Sequence, residues 1–251
     1  MKNMSTVDKW SPLVNNIMRI DELIDPNSDQ FQRWFKNSKV VDKNGDPQVM
    51  YHATDAGVNF KTFKPMSHFG TMKTAHDVID FHLLHRVARA YGTNKKDIPD
   101  PVPLGGTISD IPDEDKATEL QSLVSNMRII PVYLSIKNPM VLKDTGLQHS
   151  AWNIVLQMAD AGIIDSRIAD GIYLRWNRMF GGENKYWNDG HNRSSSKPDK
   201  EWDKGENIRM GELVRIIKKF GYDGFYYRNT VEGKRSISWV PLTTRQVRFA
   251  I

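Results

Sequence analysis

The chain contains no cysteine among its 251 residues. That absence excludes disulfide bonds, a cysteine nucleophile, iron–sulfur clusters and zinc sites with cysteine ligands. The chain also lacks any apolar run near the roughly 20 residues that a membrane-spanning helix needs. Its first nine residues lack the apolar segment of a signal peptide. With a mean hydropathy of −0.55, we expect a soluble cytoplasmic protein with no membrane partner.

Acidic residues are scarce in the last part of the chain. Residues 208–251 contain nine Lys or Arg and three Asp or Glu, a net charge of +6, against +5 for the whole chain. A basic segment fits an anionic partner such as a nucleotide or a nucleic acid. A solvated helix and strand face explains the same charge at least as well.

Helical and strand patterns follow one another without a regular β-α-β order. This mixture predicts an α+β fold with largely antiparallel sheets. Caps, turn residues and hydrophobic spacing place the individual elements. The predicted helices cover 10–24, 29–35, 74–91, 152–164 and 210–220, and the predicted strands cover 40–41, 49–52, 129–136, 224–228, 236–240 and 246–250.

We divide the chain into an N-terminal helical extension, 1–30, and one domain, 31–251, with loop insertions at about 93–127 and 176–206. The second insertion is polar and carries aromatic residues among arginines and lysines. Such aromatics could stack on bases or anchor a long loop, and we favour the anchor. They are Trp176, Tyr186, Trp187 and Trp202.

Three histidines, His76, His82 and His85, lie in the predicted helix 74–91. Only His82 and His85 share a helix face, and the spacing matches no metal-ligand pattern. We therefore expect a packed or solvated helix there and no metal site.

Four segments, taken in order, are similar to one family. They are FQRWFKNSKVV (31–41) leading to VMYHAT (49–54), SHFGT (67–71) with Ala75, PVYLSIKNP (131–139), and GYDGFYYRNTVEG (221–233) with SWV (238–240) and RQV (245–247). Together they resemble the ADP-ribosyltransferase domains of phage and mobile-element polyvalent proteins and related toxins, within the diphtheria-toxin and poly(ADP-ribose) polymerase superfamily. No one tetrapeptide is specific, and the resemblance rests on all four in this order.

The resemblance implies the ADP-ribosyltransferase split β-sheet fold, in which two antiparallel sheets with flanking helices surround an NAD cleft. NAD is then the co-substrate and no metal is needed. His52 would bind the adenosine-side ribose, Thr54 the nicotinamide amide, and Glu232 would be the catalytic acid with His68 beside it. The other implied NAD-binding residues are Tyr51, Phe69, Gly70, Thr71, Tyr226, Arg228, Asn229 and Ser238.

Two positions depart from the family pattern. His68 stands where many relatives have a tyrosine that stacks on nicotinamide, which leaves that contact to Phe69, Tyr226 or the His68 ring. The strand that carries the catalytic glutamate in polymerase-like relatives begins here with Ser238-Trp239. A site that binds a nucleotide without turning it over is therefore an open alternative.

Cleavage of the bond between nicotinamide and ribose in NAD needs only a few protein side chains. The nicotinamide leaving group is already cationic, so the main cost is the oxocarbenium-like ribose of the transition state. A carboxylate near the ribose 2′-hydroxyl stabilises that charge, while donors that hold the diphosphate, for which Arg228 and Lys64 are candidates, keep the rest of NAD in place.

We therefore predict a mono-ADP-ribosyltransferase. Its acceptor would be a nucleic acid, with RNA among the candidates, or a protein. Its setting would be a phage effector or a bacterial toxin, with an antitoxin or chaperone as a further partner. NAD hydrolysis with water as acceptor is the second enzymatic reading. A degenerate nucleotide- or partner-binding module is the non-enzymatic one.

Overall fold

The structure is a computed structural model. It describes residues 25–54, 56, 60, 62–80, 115, 118, 122, 125–144, 150–179, 200–230, 233 and 235–250. Contacts divide the chain into two compact units, which are described separately: unit 1 comprises Met1–Lys137 and Arg228–Ile251, and unit 2 comprises Asn138–Tyr227. Unit 2 lies within the range 31–251 that the sequence predicts as one domain, and unit 1 overlaps that range.

Unit 1 contains a sheet of three strands in the order β1-β2-β6, with β1 at Met50–Thr54, β2 at Arg128–Leu134 and β6 at Val247–Phe249. Both pairs are antiparallel, with His52 opposite Ile130 and Val132 opposite Phe249. The central strand β2 is rich in β-branched residues and most of its side chains are buried, as the sequence predicts for residues 129–136.

A proline explains why β6 is shorter than the predicted strand 246–250. Ala250 donates its N–H to the carbonyl of Pro131 at 3.0 Å, but proline has no N–H to return. The ladder between β2 and β6 therefore loses a hydrogen bond at this point, and β6 ends at Phe249.

A short helix, α1 (Asp29–Phe35), packs on this sheet. The Ser28 side chain accepts from the Phe31 N–H and caps the helix, as the sequence predicts. Phe31 and Phe35 are buried, and the Phe31 ring meets the Tyr133 ring of β2 edge-on at 4.9 Å. The apolar face of α1 thus covers β2.

The predicted hairpin around Asn44-Gly45 is only partly present. Its turn forms, with Gly45 at φ +89° and the Asp42 N–H donating to the Asp46 carbonyl at 2.8 Å. The arms pair only through a bridge between Val41 and Pro47. Because β1 takes β2 as its ladder partner instead, tertiary pairing replaces the local hairpin.

Two polar side chains tie the end of β2 to its neighbours. Ser38 is 8% exposed; its hydroxyl donates to the Leu134 carbonyl at 2.8 Å and accepts from the N–H groups of Val40 and Ile136 at 3.3 Å. Gln246 donates its side-chain amide to the Ser135 carbonyl at 3.1 Å. The Gln246 side chain therefore ties the segment before β6 to the end of β2.

Unit 2 begins with β3 (Pro139–Leu142), which the sequence did not predict, and ends with most of β4 (Gly224–Arg228). The two strands are parallel, so the expectation of antiparallel pairing is wrong here. Parallel neighbours need a long crossover connection. Three helices supply it: α3 (Ala151–Asp160), α4 (Ser166–Met179) and α5 (Lys200–Lys219).

Helices α4 and α5 also correct the predicted insertion 176–206, because residues at both its ends are helical. Trp176 is fully buried in α4, and its indole N–H donates to Glu212 of α5. Arg175 pairs with the same carboxylate at 2.6 Å. Trp176 is therefore a core residue that joins two helices, and neither a loop anchor nor a base-stacking residue.

Strand β5 (Ile237–Pro241) belongs to unit 1. Residues 72–80 are helical and are called α2. The molecule is thus an α+β protein. The predicted helix 10–24, the far part of the predicted helix 74–91 with His82 and His85, and Tyr186 and Trp187 lie outside the described residues. No helix in the described ranges is both long and apolar enough to cross a membrane.

Replacing Ser38 with alanine tests the tie at the end of β2. The change leaves one buried carbonyl and two buried N–H groups short of a partner. We expect the free energy of unfolding in urea to fall by about 1–3 kcal/mol. Ser125→Ala, which removes one exposed hydroxyl bonded to the Ser122 carbonyl, is the control and should change it by less than about 0.5 kcal/mol. Equal effects of the two substitutions would contradict the assignment.

Candidate functional site

Segment 67–71 of unit 1 lies between two strands that are far apart in sequence. Gly70 exchanges both backbone hydrogen bonds with Tyr51 of β1, at 2.8 and 3.0 Å. Phe69 exchanges both with Trp239 of β5, at 2.8 and 2.9 Å. The two bridges bring three of the sequence-predicted segments, 49–54, 67–71 and 238–240, into direct contact.

A glycine is needed at position 70 for space. A Cβ on Gly70 would lie 2.6 Å from the Cβ of Thr74, closer than two carbon atoms approach. The small residue therefore lets the start of α2 pack directly against the bridge to β1. Gly70 accordingly acts through packing, which is a structural role beside the NAD-binding one that the resemblance implies.

His52 is fixed by its neighbours on this bridge. Its Nδ1 lies 2.8 Å from the His68 carbonyl oxygen. Because a carbonyl only accepts, Nδ1 carries the proton, and in the neutral ring Nε2 keeps its lone pair. The imidazole is also packed against the rings of Phe63 and Phe69, at centroid distances of 5.4 and 5.2 Å. The half-buried ring thus has a fixed tautomer and orientation.

Burial lowers the pKa of His52 from its ordinary value, and the hydrogen bond to His68 opposes that shift to a smaller extent. The neutral ring is therefore favoured at physiological pH. A neutral Nε2 accepts a hydrogen bond, as a contact with a ribose hydroxyl requires.

Phe69 does not fit the contact that the resemblance implies. Its side chain has no exposed area, and it packs against Phe63 at 5.1 Å as well as against His52. A ring enclosed in this way has no free face for nicotinamide. His68, in contrast, is exposed, so of the two aromatic candidates in this segment His68 is the accessible one.

A chain of hydroxyl and amide groups joins the start of α2 to the segment before β5. The Thr71 and Thr74 hydroxyls lie 2.9 Å apart, and the Thr74 and Ser236 hydroxyls 2.8 Å apart. Asn229 donates its amide to the Ser236 and Ser238 hydroxyls, at 2.9 Å each. We call these five residues the hydroxyl network.

The network contains three of the residues that the resemblance implies for NAD binding: Thr71, Asn229 and Ser238. Asn229 and Ser238 are each 2% exposed, and their side chains bond to each other. Thr71 caps α2, because its hydroxyl accepts from the Thr74 N–H at 3.2 Å. All three hold the protein together at this point.

The same network fixes the turn between Asn229 and Ser236. The Asn229 N–H donates to the Ser236 carbonyl at 2.8 Å, and the Arg235 N–H donates to the Asn229 carbonyl at 3.0 Å. Gly233 donates its N–H to the Asp77 carboxylate of α2 at 2.6 Å, and Asp77 also pairs with Lys73 at 2.8 Å. The turn is therefore held on both sides.

Glu232, the predicted catalytic acid, lies outside the described residues. Its chain neighbour Gly233 has a φ of +55°, and a Cβ there would collide with the Thr74 hydroxyl. The backbone next to Glu232 is thus pressed against the network, and only glycine fits at position 233.

The remaining predicted residues differ in position. Arg228 is exposed and donates to the Arg235 carbonyl at 3.3 Å, and Lys64 is exposed. Tyr51 and Thr54 are half-buried on β1, and the Thr54 hydroxyl accepts from the Ala56 N–H at 3.2 Å. Tyr226 is half-buried on β4 and belongs to unit 2.

Sequence reasoning missed Thr74, Asp77 and Ser236 as contributors to this region. Ser236 was included only as the start of a strand, and the two α2 residues only as part of a helix. A partial signal existed for Thr74, which is the N3 residue after a threonine N-cap. Nothing in the sequence links Asp77 to Gly233, which is 156 positions away.

Among the described residues, no group of histidines and carboxylates is arranged to hold a metal ion. Comparison with protein-family models found no match. Searches of curated proteins and of solved structures gave no significant match either.

The lowered pKa of His52 gives a pH-dependent contribution to stability. A histidine kept neutral in the folded state contributes fully above its unfolded pKa of about 6.5, and the contribution is lost as the pH falls below that value. We expect His52→Asn, whose amide still donates to the His68 carbonyl, to reduce the loss of unfolding free energy between pH 7.5 and pH 5.

Urea denaturation at several pH values measures this effect. Burial also lowers the pKa of His76, which is present in both proteins and so cancels in the comparison. The same pH dependence in wild type and His52→Asn would show that burial of His52 does not favour its neutral form.

Proposed function

We propose that the protein is a mono-ADP-ribosyltransferase, which transfers ADP-ribose from NAD to a macromolecule and releases nicotinamide. One observation carries the proposal: segment 67–71 pairs with β1 on one side and β5 on the other. Three segments that resemble the family in sequence therefore meet in unit 1. A chance resemblance gives no reason for segments separated by up to about 190 positions to adjoin one another.

The accessible groups of unit 1 fit the chemical groups of NAD. The neutral His52 ring offers an acceptor to a ribose hydroxyl, and the Thr54 hydroxyl offers a partner to the nicotinamide amide. Arg228 and Lys64 offer cationic donors to the diphosphate. The exposed His68 ring offers a face to nicotinamide in place of the family's tyrosine.

The catalytic carboxylate in this proposal is Glu232. Its role is to orient the ribose 2′-hydroxyl and to stabilise the positive charge that develops on the sugar. The hydroxyl network and Asp77 support this role, because they hold Asn229, Gly233 and Ser236, which are close to Glu232 in sequence. Groups that are already held in place need little reorganisation when the charge forms.

A second candidate is a module that binds a nucleotide without turning it over. Ser238 favours it, since Ser238 begins the strand on which polymerase-like relatives carry their glutamate. That side chain is buried and bonded to Asn229, so it can neither contact a ribose nor supply a charge. In this case Glu232 would have no catalytic part.

Substitution of Glu232 separates the two functions. We expect Glu232→Gln to lower transfer of label from adenine-labelled NAD onto macromolecules of a cell extract by roughly 10²- to 10³-fold, because the charge-stabilising carboxylate is gone. The matched control is Asp170→Asn, which removes the same charge from an exposed position of α4 and should retain full activity.

Each other result has a definite meaning. Free ADP-ribose with no labelled macromolecule would indicate NAD hydrolysis, and no turnover of NAD by the wild type would leave the binding module. Full transfer activity in Glu232→Gln would remove Glu232 as the catalytic acid.

The hydroxyl network can be tested through Thr74. Thr74→Val keeps the shape of the side chain but removes the hydroxyl between Thr71 and Ser236. We expect kcat to fall about tenfold or more because the Glu232 turn loses its fixed position, while KM for NAD changes little. Thr74→Ser, which keeps the hydroxyl, should restore kcat. If Thr74→Val and Thr74→Ser lose the same amount of kcat and the same amount of thermal stability, the role of Thr74 is structural alone.

A further inference from the structure

Trp34, near the end of α1, is held in a fixed orientation at the surface of unit 1. Its indole N–H donates to the Arg245 carbonyl at 3.0 Å, and its own carbonyl accepts from the Ser135 hydroxyl at 2.8 Å. Trp34 is only half-buried. A large aromatic ring with its orientation fixed loses little entropy when it stacks on a ligand.

Arg248 lies next to this ring. The guanidinium carbon is 5.7 Å from the centroid of Trp34, within the range of a cation–π contact. Arg248 is exposed on β6, which is an edge strand of its sheet. A planar cation and an indole are thus presented together.

The sequence segments that contain Trp34 and Arg248 carry basic residues and no acidic ones. Residues 30–41 and 233–251 contain no Asp or Glu. The acid of α1, Asp29, is in its first turn, whereas Arg33 is in its last. We call the following residues the Trp34 surface: Trp34, the exposed bases that contact it in space, Arg245 and Arg248, and the exposed bases next to it in sequence, Arg33 and Lys36. Among the described residues, none of these four bases lies in an ion pair.

We propose that the Trp34 surface binds single-stranded nucleic acid. Arg245 and Arg248, with Arg33 and Lys36 next to Trp34 in sequence, offer positive charge to phosphates. The Trp34 ring and the Arg248 guanidinium beside it offer planar groups to the face of an unpaired base. A duplex offers the phosphates but keeps its base faces stacked inside. This inference does not require NAD chemistry; only the further step, that the bound strand is also the acceptor, rests on the proposed transferase function.

Binding of a fluorescein-labelled 12-nucleotide RNA and its DNA counterpart, followed by anisotropy without NAD, tests the proposal. We expect both single strands to bind more tightly than the 12-base-pair duplex. Affinity should fall as the salt concentration rises. The slope of the logarithm of the binding constant against the logarithm of the salt concentration should be about −0.7 for each phosphate contacted. In the double variant Arg245→Glu/Arg248→Glu the affinity should drop tenfold or more. The magnitude of the salt slope should decrease by about 1.4, because two phosphate contacts are lost.

The control for charge is Arg167→Glu/Arg178→Glu, which makes the same change at two exposed positions of α4. It should alter affinity by less than about threefold. Equal losses in the two double variants would overturn the proposal, because net charge alone would then explain binding. Duplex binding as tight as that of the single strands would overturn it as well.

The ring itself is tested by Trp34→Leu against Trp34→Phe. The leucine variant removes stacking and should lose about tenfold in affinity or more, whereas phenylalanine keeps an aromatic face and should restore most of it. Thermal unfolding shows whether either variant remains folded, and the surface arginine variants keep the test decisive if one does not. Equal affinity of the leucine variant and wild type would overturn the stacking role.

These measurements separate the two proposals. A protein that binds the oligonucleotides through the Trp34 surface but transfers no label from NAD would contradict the transferase function and leave the surface in place. A protein that transfers label but binds no single strand would contradict the role of the Trp34 surface and leave the transferase function in place.

Discussion

The double pairing of segment 67–71 is the constraint on which the candidate site depends. Four backbone hydrogen bonds connect Phe69 and Gly70 to strands that lie before and after them in the chain, β1 and β5. The pairing also sets the position of the His68 carbonyl, which in turn fixes the tautomer of His52. Because Gly70 has no side chain, α2 starts directly against this bridge, and its first residues reach Ser236.

The polar groups behind the site are satisfied by one another. Thr71, Thr74, Ser236, Asn229 and Ser238 form one connected set, and Asp77 binds the backbone of the same turn through Gly233. Buried polar groups stabilise a structure only when their hydrogen bonds are made, and a satisfied network strongly prefers one arrangement. This preference explains how short polar side chains hold Asn229, Gly233 and Ser236 in one arrangement.

Unit 1 carries two features with separate chemistry. His52, His68 and Glu232 belong to the dinucleotide site that we propose, whereas Trp34, Arg245 and Arg248 belong to the nucleic-acid surface that we propose. A nucleotide site needs a few directed donors and acceptors, but a polymer surface needs repeated charge and open aromatic faces. The basic end of the sequence contributes to both features: Arg228 is a candidate for the first, and Arg245 and Arg248 belong to the second.

The sequence alone determined the elements whose signals are local. The helix 29–35, with its cap at Ser28, and the strand 224–228 follow from patterns within a few residues, and the structure agrees with both. Tertiary structure decided what depends on distant partners. It placed Trp176 in a core, made β3 and β4 parallel, buried Phe69, Asn229 and Ser238, and joined Asp77 to Gly233. A sequence pattern shows which side chains are polar or apolar, but whether such a group faces a ligand or another part of the protein depends on contacts that span the chain.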